Sequence, residues 1–231
     1  MLSRLGCPEE KVVKLTDSKL SDFKQASKSL KPLALGITYK KPPSDISYFQ
    51  GQDDDAFKTD GNITKKDIRA LTLSELKSFG NEVLWDIGAG SGSISIEWCL
   101  GHPKNVAFAI ERRRDRISLI KANRKKFGLQ ERLTLKHGNI ETIAKDLPTP
   151  NAVFIGGGVT SDLIYQVIKA LGKNSRLVIN AVTLESQALL LKKYKQFGGN
   201  LKKINISKPK PIGGKTIWSA QYNIIQWSFK T

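Results

Sequence analysis

The sequence contains few residues of the kinds that form crosslinks or cross membranes. There are two cysteines, Cys7 and Cys99, among 231 residues, and their spacing matches no metal-binding pattern. No apolar run approaches the roughly 18 residues of a membrane-spanning helix, and the N-terminus lacks the apolar region of a secretory signal. These absences argue against a secreted or membrane-spanning protein, and a reduced, cytoplasmic compartment is the simplest interpretation.

Acidic side chains are also scarce. The chain has 38 Lys and Arg against 21 Asp and Glu, which gives a formal net charge of +17. The excess is uneven, because residues 1–62 carry +1 whereas residues 63–231 carry +16. A charge of this size raises the local concentration of polyanions. The candidate ligands are therefore nucleic acid, an acidic membrane surface or a small substrate with many carboxylates.

Short apolar strands alternate with amphipathic helices along most of the chain. Five strand patterns each precede a helical pattern: EVLWDI, NVAFAIE, RLTLKHG, NAVFIGGG and SRLVINAV. Repeated β–α units imply a parallel sheet with helices on both faces. The tail lacks a helix, and GNLKKINISKP and KTIWSAQYNIIQWSF each predict one strand. The sequence thus predicts an α/β domain over residues 51–231, with a mostly parallel sheet closed by an antiparallel C-terminal strand.

The first helix is predicted in the segment TKKDIRALTLSELKSF. Apolar residues from Ile68 to Phe79 roughly follow one helical stripe. Thr64 and Asp67 resemble a capping box, with Asp in place of the usual Glu. The sequence before this helix is rich in Pro, Asp and Gly, which favours loop over helix.

A glycine-rich turn joins the first strand to the following helix. It consists of Gly88, Ala89, Gly90, Ser91 and Gly92, and it follows Asp86. Ligands of open parallel sheets bind beyond the carboxyl ends of the strands, where glycines let them approach the backbone and a helix N-terminus offers unpaired N–H groups. A dinucleotide fingerprint starting at Gly88 requires glycine at position 93, which is serine here. D-x-G-x-G-x-G is instead the pattern of S-adenosylmethionine (SAM) methyltransferases, in which Asp86 can balance the methionine ammonium.

The ends of the next two strands fit the same cofactor. Glu111 ends the second strand, about 20 residues beyond the turn, as expected for an acid that binds both ribose hydroxyls. The third strand ends at His137, and Gly138 and Asn139 follow where SAM enzymes commonly place a polar contact to adenine. The three signals together predict SAM as the cofactor, with no metal.

Several separate segments resemble the decarboxylating precorrin methyltransferases of cobalamin biosynthesis. They are DDAFKTDGNITKKDIRALTLSEL, WDIGAGSGSISIEW, NAVFIGGG, NAVTLES and PIGGKTIWSAQYNIIQW, and they extend over about residues 53–227. The resemblance is to the half of the enzyme that methylates carbon 15 and removes the carboxylate from the ring C acetate. It implies a seven-stranded class I SAM-dependent methyltransferase (Rossmann-like) fold, a polycarboxylate tetrapyrrole substrate and a homotetramer.

The resemblance also implies roles for particular residues. Thr64 matches a threonine near the SAM carboxylate, and Gly138 with Asn139 matches the adenine-side contact, although the family often has Asp at the second position. Residues 156–158 and 180–185 lie where the substrate should enter, with no chemical step assigned to them. Whether the substrate contains cobalt stays open.

The N-terminal stretch SRLGCPEEKVVKLTDSKL is similar to the end of the half that methylates carbon 5 in fused two-domain enzymes. Residues 1–50 are accordingly predicted to be a remnant of such a domain or a linker. A carbon-5 tetrapyrrole methyltransferase is then expected as a fused or separate partner. An unrelated N-terminal extension is the alternative.

Two other functions compete with this interpretation. An RNA methyltransferase would share the fold, SAM and the basic charge, but NAVFIGGG lacks the Pro-Pro-aromatic motif used on exocyclic amines, and Cys99 is predicted to be a core thiol in a helix. A non-catalytic subunit with a vestigial SAM fold is opposed by the intact glycine turn and by Glu111. The densest basic cluster is predicted mostly as a solvated helix face or a subunit contact; it consists of Arg112, Arg113, Arg114 and Arg116.

Overall fold

A computed structural model of the chain describes Leu2–Ser3, Lys11–Val12 and residues 50–231. The chain divides into two units, Met1–Ser44 and Asp45–Thr231. In the first unit, Leu2–Ser3 and Lys11–Val12 pair as short antiparallel strands. The predicted remnant of a carbon-5 domain otherwise lies outside the described residues and stays a prediction.

Residues 50–231 form nine strands and six α-helices. The strands are β1 (Val83–Ile87), β2 (Val106–Glu111), β3 (Leu133–His137), β4 (Ala152–Ile155), β5 (Arg176–Ala181), β6 (Asn200–Ile204), β7 (Ser207–Ile212), β8 (Lys215–Ala220) and β9 (Ile224–Lys230). The helices are α1 (Lys66–Leu76), α2 (Ser93–Gly101), α3 (Arg114–Lys126), α4 (Ile140–Ile143), α5 (Ser161–Ala170) and α6 (Leu184–Phe197). Two 3-10 turns, Asp54–Ala56 and Ala144–Asp146, complete the elements.

Seven strands form one sheet in the order β3–β2–β1–β4–β5–β9–β6. The strands β1 to β5 pair in parallel, and β9 is antiparallel to both β5 and β6. This is the class I SAM-dependent methyltransferase fold that the sequence predicts, including the antiparallel C-terminal strand. The strand order reverses between β1 and β4, so a ligand crevice is expected at the carboxyl ends of these strands.

Helices cover the sheet on both faces, which explains the apolar strands in its centre. On one face, α1, α2 and α3 contribute Leu76, Trp98 and Ile120 to a buried cluster. On the other, α5 and α6 contribute Val167 and Leu190. Every residue of β4 and β5 is buried, because parallel strands between two helical layers have no solvent-facing side. Among the described residues, no helix has the length and apolar character needed to span a membrane.

The start of α1 differs from the predicted capping box. Lys65 is the N-cap and its side chain makes no capping hydrogen bond. Instead, Asp54 accepts a hydrogen bond from the N–H of Lys66 at 2.9 Å. The predicted capping box between Thr64 and Asp67 is therefore wrong. The carboxylate of Asp54, from the preceding 3-10 turn, accepts from the N–H of Lys66 at the helix start instead.

The end of α1 also differs from the predicted stripe. The helix ends at Leu76, where Lys77 adopts a left-handed conformation with φ of 46° and donates its N–H to the carbonyl of Leu73. Phe79 lies beyond the helix and is largely exposed. Its ring contacts the guanidinium of Arg176, 5.2 Å from the ring centroid, rather than the core. The stripe is therefore shorter than the apolar pattern suggested.

The C-terminal tail forms four strands rather than the two predicted. β6 and β9 join the main sheet, whereas β7 and β8 pair only with each other as a separate antiparallel hairpin. Gly213 and Gly214 form its two-residue turn with positive φ, as hairpin turns of this length require. Pro209 and Pro211 lack the N–H groups that a central strand donates, which keeps β7 out of the main sheet.

Candidate active site

The predicted glycine turn lies at the carboxyl end of β1, immediately before α2. Gly90 and Gly92 have φ of 60° and 77°, in the left-handed region that favours glycine. A Cβ atom at Gly92 would also lie 2.9 Å from Cγ2 of Ile120. The turn thus depends on glycine for its backbone conformation, and at Gly92 also for packing against α3.

The acid at the end of β2 is tied directly to this turn. Glu111 is buried, and its Oε2 accepts a hydrogen bond from the N–H of Gly90 at 2.9 Å. Its Oε1 accepts from the N–H of Arg113 at 3.0 Å. Each carboxylate oxygen can accept a further hydrogen bond, so Glu111 retains capacity for a ligand.

The acid at the end of β1 has one oxygen without a partner. Asp86 has no exposed surface, and its Oδ2 accepts from the N–H and hydroxyl of Ser95 at 3.1 and 2.6 Å. Among the described residues, Oδ1 of Asp86 and Oγ of Ser91 find no hydrogen-bond partner. Burial raises the pKa of Asp86 to about 6; the hydrogen bonds from Ser95 oppose this rise, and the charge of Glu111 adds to it.

One cavity of about 1120 Å³ brings the predicted site residues together. Nine of the ten line it: Thr64, Asp86, Gly88, Ala89, Gly90, Ser91, Glu111, Gly138 and Asn139. The tenth, Gly92, is not among the lining residues and packs against Ile120. The cavity lies at the carboxyl ends of the parallel strands, where the reversal of strand order predicts it.

The residues after β3 leave polar groups available at the cavity. Asn139 is the N-cap of α4, but its side chain makes no capping hydrogen bond. Its carbonyl accepts from the hydroxyl of Thr142 at 2.9 Å. The N–H of Gly138 donates to the carbonyl of Glu111 at 3.1 Å, which fixes this turn against β2. The amide of Asn139 therefore lies at the cavity without a capping role.

The loop before α1 closes one side of the cavity, and two arginines hold it. Asp60 accepts hydrogen bonds from Nε of Arg116 and from the N–H of Asn62, both at 3.0 Å. Nη2 of Arg113 lies 3.9 Å from the same carboxylate. Arg112, Arg113 and Arg116 all line the cavity, whereas the sequence predicts a solvated helix face or a subunit contact for most of this cluster. The ion pairs join residues more than 50 positions apart, so no local pattern reveals them.

The turn after β4 lies against the turn after β1. A Cβ atom at Gly88 would lie 3.4 Å from the carbonyl oxygen of Gly157, and one at Gly156 would lie 3.5 Å from the carbonyl oxygen of Gly88. Residues 156–158 line the cavity beside the cofactor turn, together with Asn180 and Val182 from the end of β5. The two turns therefore bring the predicted substrate side next to the predicted cofactor side.

The tail supplies a part of the cavity that the sequence did not predict. Ala220, Gln221, Tyr222 and Ile224 join β8 to β9 and line the cavity. Tyr222 is largely exposed, as is Val182 to a lesser degree. This apolar edge results from the position of β9 beside β5, which only the sheet topology reveals.

The arrangement fits SAM. A buried carboxylate oxygen without a partner, a hydroxyl without a partner and backbone N–H groups at a helix start match an ammonium and a carboxylate of a ligand. Glu111 and Asn139 add acceptors at separate strand ends. Within the described parts of the chain, no group of His, Cys, Asp and Glu could hold a metal ion.

Cys99 lies in α2 with no exposed surface, as predicted for a core thiol. Burial raises the pKa of this thiol to about 12, so it stays protonated at neutral pH. It is therefore unsuited to act as the nucleophile that a cytosine methyltransferase needs.

Comparison with known proteins agrees with this geometry. A family model described as a precorrin methyltransferase domain matches residues 55–231. A precorrin-6Y C(5,15)-methyltransferase [decarboxylating] of a Sinorhizobium species is 44% identical over 180 residues, which are 78% of this chain and 43% of that protein. A probable cobalt-precorrin-6B C(15)-methyltransferase (decarboxylating) of Methanococcus maripaludis is 32% identical over 158 residues, which are 68% of this chain and 84% of that protein.

A solved structure shares both sequence and fold. The C-terminal domain of precorrin-6Y C5,15-methyltransferase from Rhodobacter capsulatus is 43% identical, with a TM-score of 0.77, and the match covers 80% of this chain and 100% of that one. The chain spans less than half the length of the curated precorrin-6Y relatives that it matches. The match to the family model over most of the chain establishes the family: this chain belongs to the precorrin methyltransferase domain family.

Proposed function

We propose that this chain is a SAM-dependent C-methyltransferase of cobalamin biosynthesis. Its reaction would be methylation of carbon 15 of a precorrin, with loss of CO₂ from the ring C acetate. The observation that carries the proposal is the convergence of Asp86, Glu111 and the glycine turn on one cavity, in a chain of the precorrin methyltransferase domain family. Relatives named for this reaction include a precorrin-6Y methyltransferase and a probable cobalt-precorrin-6B methyltransferase.

Each end of the cofactor would have its own partner. Oδ1 of Asp86 would accept from the methionine ammonium, and Thr64 with the N–H groups of the turn would bind the methionine carboxylate. Glu111 would accept from the ribose hydroxyls with the lone pairs that Gly90 and Arg113 leave unused. Gly138 and Asn139 would contact the adenine. Bound in this way, SAM supplies a methyl group on a sulfonium, which is a good leaving group.

The substrate side would combine charge with an apolar surface. Lys65, Arg112 and Arg113 line the cavity and would attract the acetate and propionate groups of a tetrapyrrole. Val182 and Tyr222 provide exposed apolar surface for the macrocycle. The domain charge of +16 is explained by a substrate with many carboxylates as well as by nucleic acid, so charge alone does not choose between them.

The role of the chain in methyl transfer would be mainly alignment. The turns at Gly88 and Gly157 lie so close that a side chain at Gly88 would meet the carbonyl oxygen of Gly157, and this closeness would put SAM next to the substrate. The Asp60–Arg116 ion pair holds residues 61–64 across the cavity and would exclude water. Correct placement of two reactants can lower a barrier by about 7–11 kcal/mol, so a chain without a strong acid or base at the site can still be effective.

The exposed hairpin supports a homo-oligomer, and we propose the homotetramer that the family resemblance implies. Ile212, Ile217 and Trp218 are at least 45% exposed on β7 and β8, outside the main sheet. The register places Ile212 and Ile217 on one face of the hairpin and Trp218 on the other. Exposed apolar side chains on a free hairpin are typical of a protein contact, and a second copy of the chain is the proposed occupant. A carbon-5 tetrapyrrole methyltransferase, fused or separate, would act on the same substrate.

Competition between substrate classes tests the proposal. The chain is incubated with methyl-labelled SAM and equal concentrations of structured RNA and a precorrin, in cobalt-free and cobalt-containing forms. Label is expected in the tetrapyrrole and not in RNA. Label in RNA with none in either tetrapyrrole would overturn the proposal. Salt dependence is not diagnostic, because both polyanions bind more weakly as salt increases.

A further inference from the structure

The cavity has one charged wall and one uncharged wall. The charged wall has Asp86 and Glu111 at the ends of β1 and β2 and Glu141 in α4. Its cations come from the loop before α1, the turn after β2 and the start of α3; they are Lys65, Arg112, Arg113 and Arg116. The lining that β4, β5 and the tail provide has no charged side chain among the described residues. It consists of apolar residues, glycines and four side chains with neutral polar groups, Thr160, Asn180, Gln221 and Tyr222.

Asn180 is held in this uncharged wall by a buried network. Its Nδ2 donates to Oγ1 of Thr72 at 2.9 Å, and its Oδ1 accepts from Nε2 of Gln226 at 3.0 Å. Nε2 of Gln226 also lies 3.2 Å from Oγ1 of Thr72. The hydroxyl of Thr72 donates to the carbonyl of Ile68 at 2.8 Å. Thr72 and Gln226 have no exposed surface.

The network fixes which way the amide of Asn180 faces. The single hydroxyl proton of Thr72 is committed to Ile68, so Oγ1 can only accept from the two amides. Both amides must therefore present nitrogen to Thr72. Oδ1 of Asn180 accepts from Gln226, and the hydrogen-bond donor that Asn180 can still offer a ligand in the cavity is its second amide N–H. The result is a neutral hydrogen-bond donor at the end of β5.

We propose that Asn180 binds the acetate carboxylate that leaves as CO₂, and that Thr72 and Gln226 are the residues that position it. This inference rests on the proposed function. A donor without charge can orient a carboxylate while stabilising it less than a guanidinium does. The remaining carboxylates of the substrate would lie beside the cations of the charged wall, so the wall that each group contacts determines which acetate is lost.

A neutral partner suits the charge movement in this step. The bond between the acetate methylene and the carboxylate carbon breaks, its electron pair moves into the conjugated ring, and CO₂ leaves. The methylene carbon then takes a proton from solvent and becomes a methyl group. Negative charge leaves the carboxylate in the transition state, so a cation bound there would stabilise the reactant more than the transition state and would slow the step.

The experiment measures kcat and KM for CO₂ release and the affinity for S-adenosylhomocysteine (SAH) in the same variants. Asn180→Ala removes the donor, and Asn180→Asp keeps the size while replacing the donor by an anion. Both are expected to lower kcat/KM for CO₂ release about tenfold or more, because the acetate is no longer bound and oriented by this donor, with SAH affinity unchanged. Asn200→Ala, at an exposed asparagine of β6, is the control and should match the unaltered chain.

The positioning role has its own readout. Thr72→Val removes the hydroxyl and is expected to slow CO₂ release with SAH affinity unchanged, whereas Thr72→Ser should restore the rate. If Asn180→Ala fails to fold, the two Thr72 variants still test whether the Asn180 network is needed for CO₂ release. Methyl transfer to the precorrin is measured in the same variants, because slow methylation would also slow CO₂ release if methylation comes first.

The outcomes separate this inference from the function on which it rests. If the unaltered chain neither transfers methyl to a precorrin nor releases CO₂, the proposed function fails. If the unaltered chain does both, and folded Asn180 and Thr72 variants release CO₂ at its rate, only the role of Asn180 fails. Slow CO₂ release in both Thr72→Ser and Thr72→Val would also contradict the positioning role. Serine keeps the hydroxyl, so the loss of rate would not come from the loss of its hydrogen bonds.

Discussion

The N–H of Gly90 donates to the carboxylate of Glu111 at 2.9 Å, so the glycine turn after β1 and the acid after β2 form one unit. The two residues lie 21 positions apart and are joined across parallel neighbouring strands. A ligand that contacts Glu111 is therefore also held at a fixed position relative to the turn. Changes at either residue should affect the same binding site.

Glu111→Ala is expected to weaken SAH binding by roughly 1–3 kcal/mol, because the ribose hydroxyls and the N–H of Gly90 both lose their acceptor. Isothermal titration calorimetry measures the loss. Glu111→Gln, which keeps one acceptor oxygen, should lose less. Unchanged affinity in the alanine variant would rule out this ribose site.

Two glycines of the turn should respond differently to substitution. Gly90→Val places a branched side chain at a left-handed residue that lines the cavity, and it should abolish SAH binding while the core stays folded. Gly92→Ala should instead lower the thermal stability, because its Cβ would lie 2.9 Å from Ile120. Calorimetric binding and melting temperature are measured for both. If both variants changed SAH affinity and melting temperature equally, Gly90 would not be the cavity residue and Gly92 would not be the packing residue.

The sequence predicts the fold well because its signals are local. The strands β4 and β5 are continuously apolar, and each is followed by a helix, so the parallel sheet follows from the pattern alone. Asp86, Glu111 and Asn139 follow separate strands, and parallel strands bring their carboxyl ends to one edge. These residues could therefore be placed in one site without knowledge of side-chain contacts.

The features that the sequence does not predict depend on distant partners. Asp54 replaces the expected capping box only because its 3-10 turn lies at the start of α1. Asn180 and Gln226 meet Thr72 across 108 and 154 positions. The hairpin of β7 and β8 leaves the main sheet because of its prolines and its two-glycine turn. Strand propensity predicts that these segments are strands, but not which sheet they join.

Protonation of Asp86 should control SAH affinity. Its folded pKa of about 6 lies above the ordinary value of 3.8, so its contribution to stability without ligand is complete below about pH 4 and is lost as pH rises through 6. An ammonium favours the carboxylate form, so SAH affinity should increase as pH rises through 6. Titrations near pH 6 should show proton release on binding.

Asp86→Asn provides the control for this pH dependence. It removes the titrating group while keeping an oxygen and similar size, so SAH should bind more weakly and without the change near pH 6. The same pH profile in the variant and in the unaltered chain would assign the titration to another group.

Residues just before the 3-10 turn should be required for stability. Glu97 accepts from the N–H groups of Gly51 and Gln52 at 2.6 and 3.1 Å and from Nε of Arg69 at 2.5 Å. A fragment that begins at residue 55 leaves this buried ion pair without these partners and should lose roughly 2–5 kcal/mol of unfolding free energy. A fragment that begins at residue 46 should retain SAH binding. Chemical denaturation compares the two.

The outcome for the shorter truncation tests the predicted boundary. If removing residues 1–45 abolishes SAH binding or unfolds the chain, that segment is part of the methyltransferase domain and the remnant hypothesis fails. Equal stability of the two fragments would show that the Glu97 contacts are unimportant.

The mass of the product that the chain forms from a precorrin and SAM tests the proposed reaction most directly. One product is expected, which has gained a methyl group and lost CO₂, with SAH formed in equal amount. A labelled methyl group on the tetrapyrrole should map to carbon 15. SAH binding without any change in the mass of either a cobalt-free or a cobalt-containing precorrin would contradict the account.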